Sequence, residues 1–203
     1  MKETVHLDLG CGSRARNPYR REKLIGCDFA ELEQLTHVDN FAFVAVDLSK
    51  NRLPFEDATF DSVSAFDFIE HIPRQAYRFD GTIVFPFMEL MSEIYRVLKP
   101  NGLFLASTPA YPRPEAFQDP THVNFITEKT HEYFCGDAPY AERYGFTGRF
   151  EAHRIVWEPQ KNTYAGSSRG MREWWRKNVE FRFFKGGFSH LTWELQAIKP
   201  DTP

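Results

Sequence analysis

Asp8-Leu9-Gly10-Cys11-Gly12 sets a carboxylate beside two glycines in alternate positions. Glycine accepts positive φ and has no side chain, so such a turn brings backbone N–H groups close to a polar ligand. Asp28, followed by Phe29, lies about 20 residues on, the spacing at which a carboxylate can accept hydrogen bonds from both ribose hydroxyls of a nucleoside. Asp47-Leu48 then offers a carboxylate and an apolar wall to a purine ring. Each aspartate taken alone is most simply a turn former. Three at successive strand ends point to a nucleoside-type site. Gly10, Gly12 and Ala15 also satisfy GxGxxA, so a dinucleotide site, and with it an NAD-dependent oxidoreductase, stays open at this level.

Two histidines are placed where proton transfer would be useful. His71 stands in Ile-Glu-His-Ile and His122 in Asp-Pro-Thr-His, each shortly after an apolar run. Either can serve as a general base if an acceptor hydroxyl must lose a proton, and Asp119, three residues before His122, can orient its imidazole. A structural or acceptor-shaping role is the simpler reading of each; His122 is the stronger catalytic candidate, while His71 reads more simply as a packing residue at a helix start. Asp67 and Glu70 read as caps or as complements to a helix dipole. No compact set of His, Asp and Glu stands out along the chain, so no metal is expected.

The elements that must position these groups are legible as apolar runs. Residues 5–9, 23–29, 41–46 and 60–66 are short strands, each ending at or near an aspartate or, for the last, at Phe66. Residues 86–98 carry Met88, Met91, Ile94, Tyr95 and Leu98 at helical spacing, with Pro86 suited to the first turn. Lys-Pro-Asn-Gly at 99–102 ends that helix, and 102–108 is a further strand. Strands alternating with helices predict an α/β layered fold with ligands at the carboxyl ends of the strands. Residues 127–134 read as helical with Thr127 as N-cap, and 150–157 and 190–198 alternate like antiparallel strands. The stretch after Gly12 is short for a full helix, so the first crossover is expected to be irregular. Residues 159–189 form an insert in which Trp174, Trp175 and Phe181 mix with Arg169, Arg172 and Arg176, suiting a lid or an acceptor-docking surface.

At 203 residues, 42% hydrophobic, the chain can bury one large core, so a single domain over 1–203 is expected. A formal charge of −3 gives no overall pull toward nucleic acid or anionic membrane. No apolar run approaches the roughly 20 residues needed to span a bilayer, and the start enters a strand, so a cytoplasmic protein with no membrane partner is expected. Cys11, Cys27 and Cys135, without a CxxC pair, suggest neither disulfide nor zinc.

The combination VHLDLGCG at 5–12, GCDFA at 26–30, VAVDLSKNRLPFEDATFDSVSAFDFIEHIPR at 44–74 and EIYRVLKPNGLFLASTP at 93–109 resembles the class I methyltransferases, in particular the methyltransferase type 11 family. The resemblance implies a Rossmann-like, seven-stranded, mostly parallel sheet flanked by helices, with its last strand antiparallel, and S-adenosylmethionine as cofactor. It implies that Asp8, Gly10 and Gly12 line the methionine part, that Asp28 binds the ribose with Phe29 beside it, that Asp47 and Leu48 meet the adenine, and that Phe66 flanks the methionine chain. The chain departs from the common pattern at Ser13-Arg14-Ala15-Arg16, which brings two arginines near the site; Arg14 or Arg16 can hold the cofactor carboxylate or simply face water. The implied reaction is in-line methyl transfer to a small-molecule acceptor, with sugars or glycan precursors suggested by the DPTH loop. Nucleic-acid or nucleotide methylation is the alternative, supported only if the 169–185 patch forms an exposed surface. A non-catalytic cofactor-binding protein is the other.

Overall fold

Val5–Leu9 (β1) has β-branched or apolar residues at alternate positions and is buried from His6 onward, as a strand flanked on both sides must be. In the computed structural model, which describes residues 3–29, 40–48, 52–160 and 188–200, it is the third strand of a seven-stranded sheet. In chain order the elements are β1, β2 (Lys23–Asp28), β3 (Phe41–Ala45), β4 (Phe60–Phe66), the short pair β5 (Ala76–Tyr77) and β6 (Ile83–Val84), α1 (Pro86–Val97), β7 (Leu98–Pro109), α2 (Glu115–Gln118), β8 (Phe150–Glu158) and β9 (His190–Ala197). The order across the main sheet is β3-β2-β1-β4-β7-β9-β8. The pairs from β3 through β7 are parallel, and β9 runs antiparallel between β7 and β8. The Rossmann-like architecture with an antiparallel last strand is thus present.

Helix α1 begins with Pro86 at its first turn, where the missing N–H costs no hydrogen bond. Its buried face is Phe87, Leu90, Met91, Ile94 and Val97, one residue around from the stripe read in the sequence; Met88 and Tyr95 are half-buried. Each of these buried side chains contributes about 1.5–3 kcal/mol. The helix stops at Leu98, and strand β7 starts there at once, with Lys-Pro-Asn-Gly inside its span and Asn101 at positive φ. Residues 127–134 depart further from expectation. They hold a 3-10 helix over Thr130–Phe134 without a side-chain cap, and Thr130 Oγ1 accepts from the Thr127 N–H. Residues 10–22 contain turns and no helix, so the first crossover is irregular as expected.

The chain winds from β1 outward to β2 and β3, then returns to place β4 on the other side of β1. Loops leaving β1 and β4 therefore diverge at their carboxyl ends and open a crevice, the position where open α/β sheets bind ligands.

Candidate active site

The glycine turn after β1 is built on two buried or half-buried carboxylates. Asp8, fully buried, accepts a hydrogen bond from Ser64 Oγ at 2.5 Å and one from the Arg16 backbone N–H at 2.7 Å. Gly10 and Gly12 both have positive φ, 63° and 54°. At Gly10 an added Cβ would lie 2.3 Å from the Phe68 ring, whereas at Gly12 it would meet nothing within 4 Å. The turn is closed on its inner side and open at Gly12. Across from it, Asp28 Oδ2 accepts the Gly12 N–H at 2.9 Å and Asp28 Oδ1 accepts the Phe29 N–H at 2.7 Å. The Phe29 ring is exposed beside that carboxylate.

A line of hydrogen bonds runs beneath the turn. Arg21 Nε donates to Ser62 Oγ, and Ser64 Oγ donates to Asp8. Ser64 has one proton, already given to Asp8, so it accepts from His6 Nε2–H, 2.8 Å away; His6 Nδ1 then accepts from Ser62, also at 2.8 Å. One polarity satisfies every group from Arg21 to Asp8. Burial pushes the His6 pKa down to about 3 and the Asp8 pKa up to about 7, the hydrogen bonds from Ser64 and Arg16 opposing the latter.

Arg16 is not merely a solvated loop residue: its guanidinium lies 4.9 Å from the centre of the Phe66 ring, and its charge acts on Asp8. Arg14 is exposed. Val46 N–H bonds to the Asp28 carbonyl at 2.7 Å, which brings the segment with Asp47 alongside the end of β2. Leu48 is buried in the core and, with Leu53 and Leu90, lines a cavity of about 330 Å³ against α1.

On the other side of the crevice, the loops after β4 and β7 are stitched together. The Glu70 carbonyl accepts the N–H groups of Val123 and Asn124, both at 2.9 Å, and Asn124 Nδ2 donates to the Ile69 carbonyl. Arg74 braces Asn124 Oδ1 and the Phe125 carbonyl. This stitching sets His71 against His122, rings edge to face with centroids 4.8 Å apart. Burial, and then His122, hold the His71 pKa below its usual value. Glu70 stands in the first turn of a 3-10 helix, at a helix start as read from the sequence, but not as a cap. No side-chain cap forms there; Glu70 is buried, accepts from Thr108 Oγ1 at 2.8 Å, and is pushed up to about 8 by that burial. Nor does the absence of a compact ligand-type set hold: Glu70, His71 and His122 converge from two loops, ligand atoms within 4.8 Å of one another. Asp67, at positive φ, accepts from His190 Nε2 at 2.8 Å. His190, at the start of β9, was passed over in the sequence because only the topology brings it 123 positions back to β4.

Residues 7–106 match the family model described as "Methyltransferase domain". Over that stretch, just under half of its length, the chain is similar to the S-adenosylmethionine-dependent methyltransferases. A Mycolicibacterium smegmatis protein named "Probable S-adenosylmethionine-dependent methyltransferase" is 36% identical over 109 residues, 51% of this chain and 37% of that protein. The chain thus spans little more than a third of the length of that curated relative. Among solved structures, a chain of the Haloferax volcanii complex containing the Trm112 methyltransferase activator shares the fold at TM-score 0.58 and 16% identity, over 98% of this chain and 84% of its own. A SAM-dependent methyltransferase from Archaeoglobus fulgidus (TM-score 0.55, 17% identity, 95% and 86% covered) and the [4+2]-cyclase SpnF (0.55, 14%, 98% and 76%) do likewise.

S-adenosylmethionine, named in the Mycolicibacterium smegmatis relative's description, fits what the crevice presents. Open space at Gly12 admits a ligand, Asp28 can accept from a vicinal diol, and Asp8 and Arg16 supply charges for an amino-acid end. The dinucleotide alternative falls away, since the GxGxxA reading needs a helix N-terminus directly after the turn and residues 10–22 form none. Of the aromatic and basic insert at 159–189, residues 161–187 lie outside the described residues, so the lid and nucleic-acid readings rest on sequence alone. Among the described residues no helix is long and apolar enough to cross a membrane.

Proposed function

We propose that this chain transfers a methyl group from S-adenosylmethionine to a small-molecule acceptor, with hydroxyl-bearing sugars or glycan precursors the leading class. The observation carrying the cofactor half is the Asp28 carboxylate, held by the Gly12 and Phe29 N–H groups beside the open glycine turn at the switch point of the sheet. The cofactor supplies an electrophilic methyl, and the reaction is an in-line displacement governed by alignment and exclusion of water. In this reading Asp28 accepts the ribose hydroxyls, with the exposed Phe29 ring against the nucleoside. Asp8 and Arg16 take the ammonium and carboxylate of the methionine end, and Phe66 walls its chain. Asp47 and Leu48 close the adenine side.

The acceptor half rests on the Asp119-to-His122 loop, whose sequence suggests the sugar reading and whose next residues, Val123 and Asn124, are held by the Glu70 carbonyl. His122 is the group placed to deal with an acceptor hydroxyl, and His71 stands against it. Calorimetry with S-adenosylmethionine, S-adenosylhomocysteine and NAD(H) tests the first half: the two sulfur nucleosides bind, NAD(H) does not, and Asp28→Ala weakens binding about 100-fold. Mass spectrometry of a sugar, sugar nucleotide and oligonucleotide panel tests the second. A methylated oligonucleotide and no methylated sugar would replace the acceptor class. Because the same fold carries a cyclase, cofactor binding without appearance of S-adenosylhomocysteine would move the chain out of methyl transfer altogether.

A further inference from the structure

We propose that Glu70, His71 and His122 form a binding site for a divalent transition-series cation. The argument stands on the hydrogen-bond inventory of the cluster and not on the methyl-transfer reading. Thr121 Oγ1 donates its single proton to Asp119 Oδ1 at 2.7 Å, so toward His71 Nδ1, 3.0 Å away, it can only accept. His71 is therefore protonated on Nδ1, leaving Nε2 as a lone pair. His122 Nδ1 faces the Ala116 carbonyl at 3.3 Å, which also only accepts, so His122 too carries its proton on Nδ1 and a lone pair on Nε2. Its Nε2 is 3.9 Å from Asp119 Oδ2, beyond hydrogen-bond range. Glu70 uses Oε2 for Thr108, while Oε1 is buried with no hydrogen-bond partner among the described residues.

One ligand-type atom from each of Glu70, His71 and His122, the first on a side chain only 1% exposed, thus lies within 4.8 Å of the other two, and the proton that burial helps Glu70 to keep is displaced when a cation binds. A buried acceptor left unsatisfied costs about 1–3 kcal/mol, and a cation satisfies all three at once. The surroundings have the form of a metal centre. Each imidazole gives its other nitrogen to an oxygen that fixes tautomer and ring orientation, through Thr121 and Asp119 for His71 and through a carbonyl for His122. Bonds of about 2.0–2.2 Å draw ligand atoms to roughly 3.0–3.4 Å of one another, so closure takes an ångström or so of side-chain rotation. Two imidazoles with one carboxylate favour Zn²⁺, Fe²⁺ or Mn²⁺ over the all-oxygen preference of Mg²⁺, and three protein ligands leave positions for oxygen from water or an acceptor. The histidines then act as ligands, and the acidity of an acceptor hydroxyl is raised by the cation in place of an imidazole base.

The test is calorimetric titration of chelator-treated full-length protein with Zn²⁺, and with Co²⁺ followed by its visible absorption, without any cofactor present. One equivalent is taken up saturably, with Co²⁺ bands of a nitrogen and oxygen ligand set. His122→Ala and His71→Ala lower affinity by about 100-fold or more, Thr121→Val by about 10-fold through loss of orientation, and His131→Ala leaves it unchanged. Absence of saturable uptake, or equal affinity in His122→Ala, overturns the site. Since Thr121→Val removes no ligand and keeps side-chain shape, its effect remains readable if a histidine variant folds poorly. Loss of cation uptake with cofactor binding intact would refute this site and leave the methyl-transfer reading standing.

Discussion

The two banks of the crevice handle their polar groups in opposite ways. At the ends of β1 and β2 the groups satisfy one another: both oxygens of Asp8 and both of Asp28 accept hydrogen bonds, and a single polarity runs from Arg21 to Asp8. At the ends of β4 and β7 acceptors are left over, with Glu70 Oε1 unpartnered and two imidazole lone pairs beside it. The first bank is preorganised and needs a ligand only to add to what it already holds. The second holds acceptors that something electron-poor would satisfy, and under the proposed function the first bank would hold the cofactor and the second would meet the acceptor.

The contrast breaks most visibly at Asp28. Asp28→Ala removes two backbone anchors and the proposed ribose acceptor together, and S-adenosylhomocysteine affinity is expected to fall about 100-fold, near 2.7 kcal/mol, by calorimetry. Next comes Gly10→Ala, where positive φ combines with a Cβ 2.3 Å from Phe68; a loss of about 2–4 kcal/mol in stability is expected by denaturant unfolding. Gly12→Ala, with open space around it, should lose only about 1 kcal/mol in stability yet weaken cofactor binding, because its Cβ intrudes on the ligand's side. Equal stability losses would show that the turn is not closed on one side and open on the other. Arg16→Ala should weaken S-adenosylhomocysteine by about 10-fold, and unchanged affinity would return Arg16 to the role of a solvated loop residue.

The smallest effect sharpens the description of the preorganised bank. His6 has a depressed folded pKa, so its contribution to stability is present above about 6.5 and is lost as pH falls toward 3. Asp8 has a raised folded pKa, so its contribution is full below about 3.8 and is lost as pH rises through 7. Between about 4 and 6.5 the two slopes oppose. Asp8→Asn removes one of them, and unfolding free energy should then rise with pH by about 1 kcal/mol per unit more steeply than in the parent. An unchanged slope would show that Asp8 does not retain its proton in the folded chain.

The preorganised bank was legible because it is local. Asp8, Gly10 and Gly12 lie within five residues, and strand-end aspartates announce themselves by following apolar runs. The fold was legible for the same reason, except where short-range periodicity is weak. The 3-10 helix at Thr130–Phe134 passed for an α-helix, and the α1 stripe was misplaced by one residue because Phe87 and Val97 were not counted in it. The second bank was not legible as a unit. His71 and His122 were each marked, but Glu70 reads like any acidic residue at a helix start until tertiary structure buries it against Thr108. His190 gives no local signal for its bond to Asp67, which exists only because β9 is inserted between β7 and β8.

That insertion also governs how the molecule can come into being. Strand β9 is the last to emerge during synthesis, yet it hydrogen-bonds along both flanks, to β7 and to β8. Until it arrives β7 has an open edge, and the ladder it closes with β7 joins residues 81 to 93 positions apart, from Pro109 with His190 to Leu103 with Gln196. Such non-local closure is slow and leaves a strand edge available to other chains meanwhile. A ribosome-bound chain lacking these residues is therefore the form most exposed to self-association, and the one in greatest need of a chaperone.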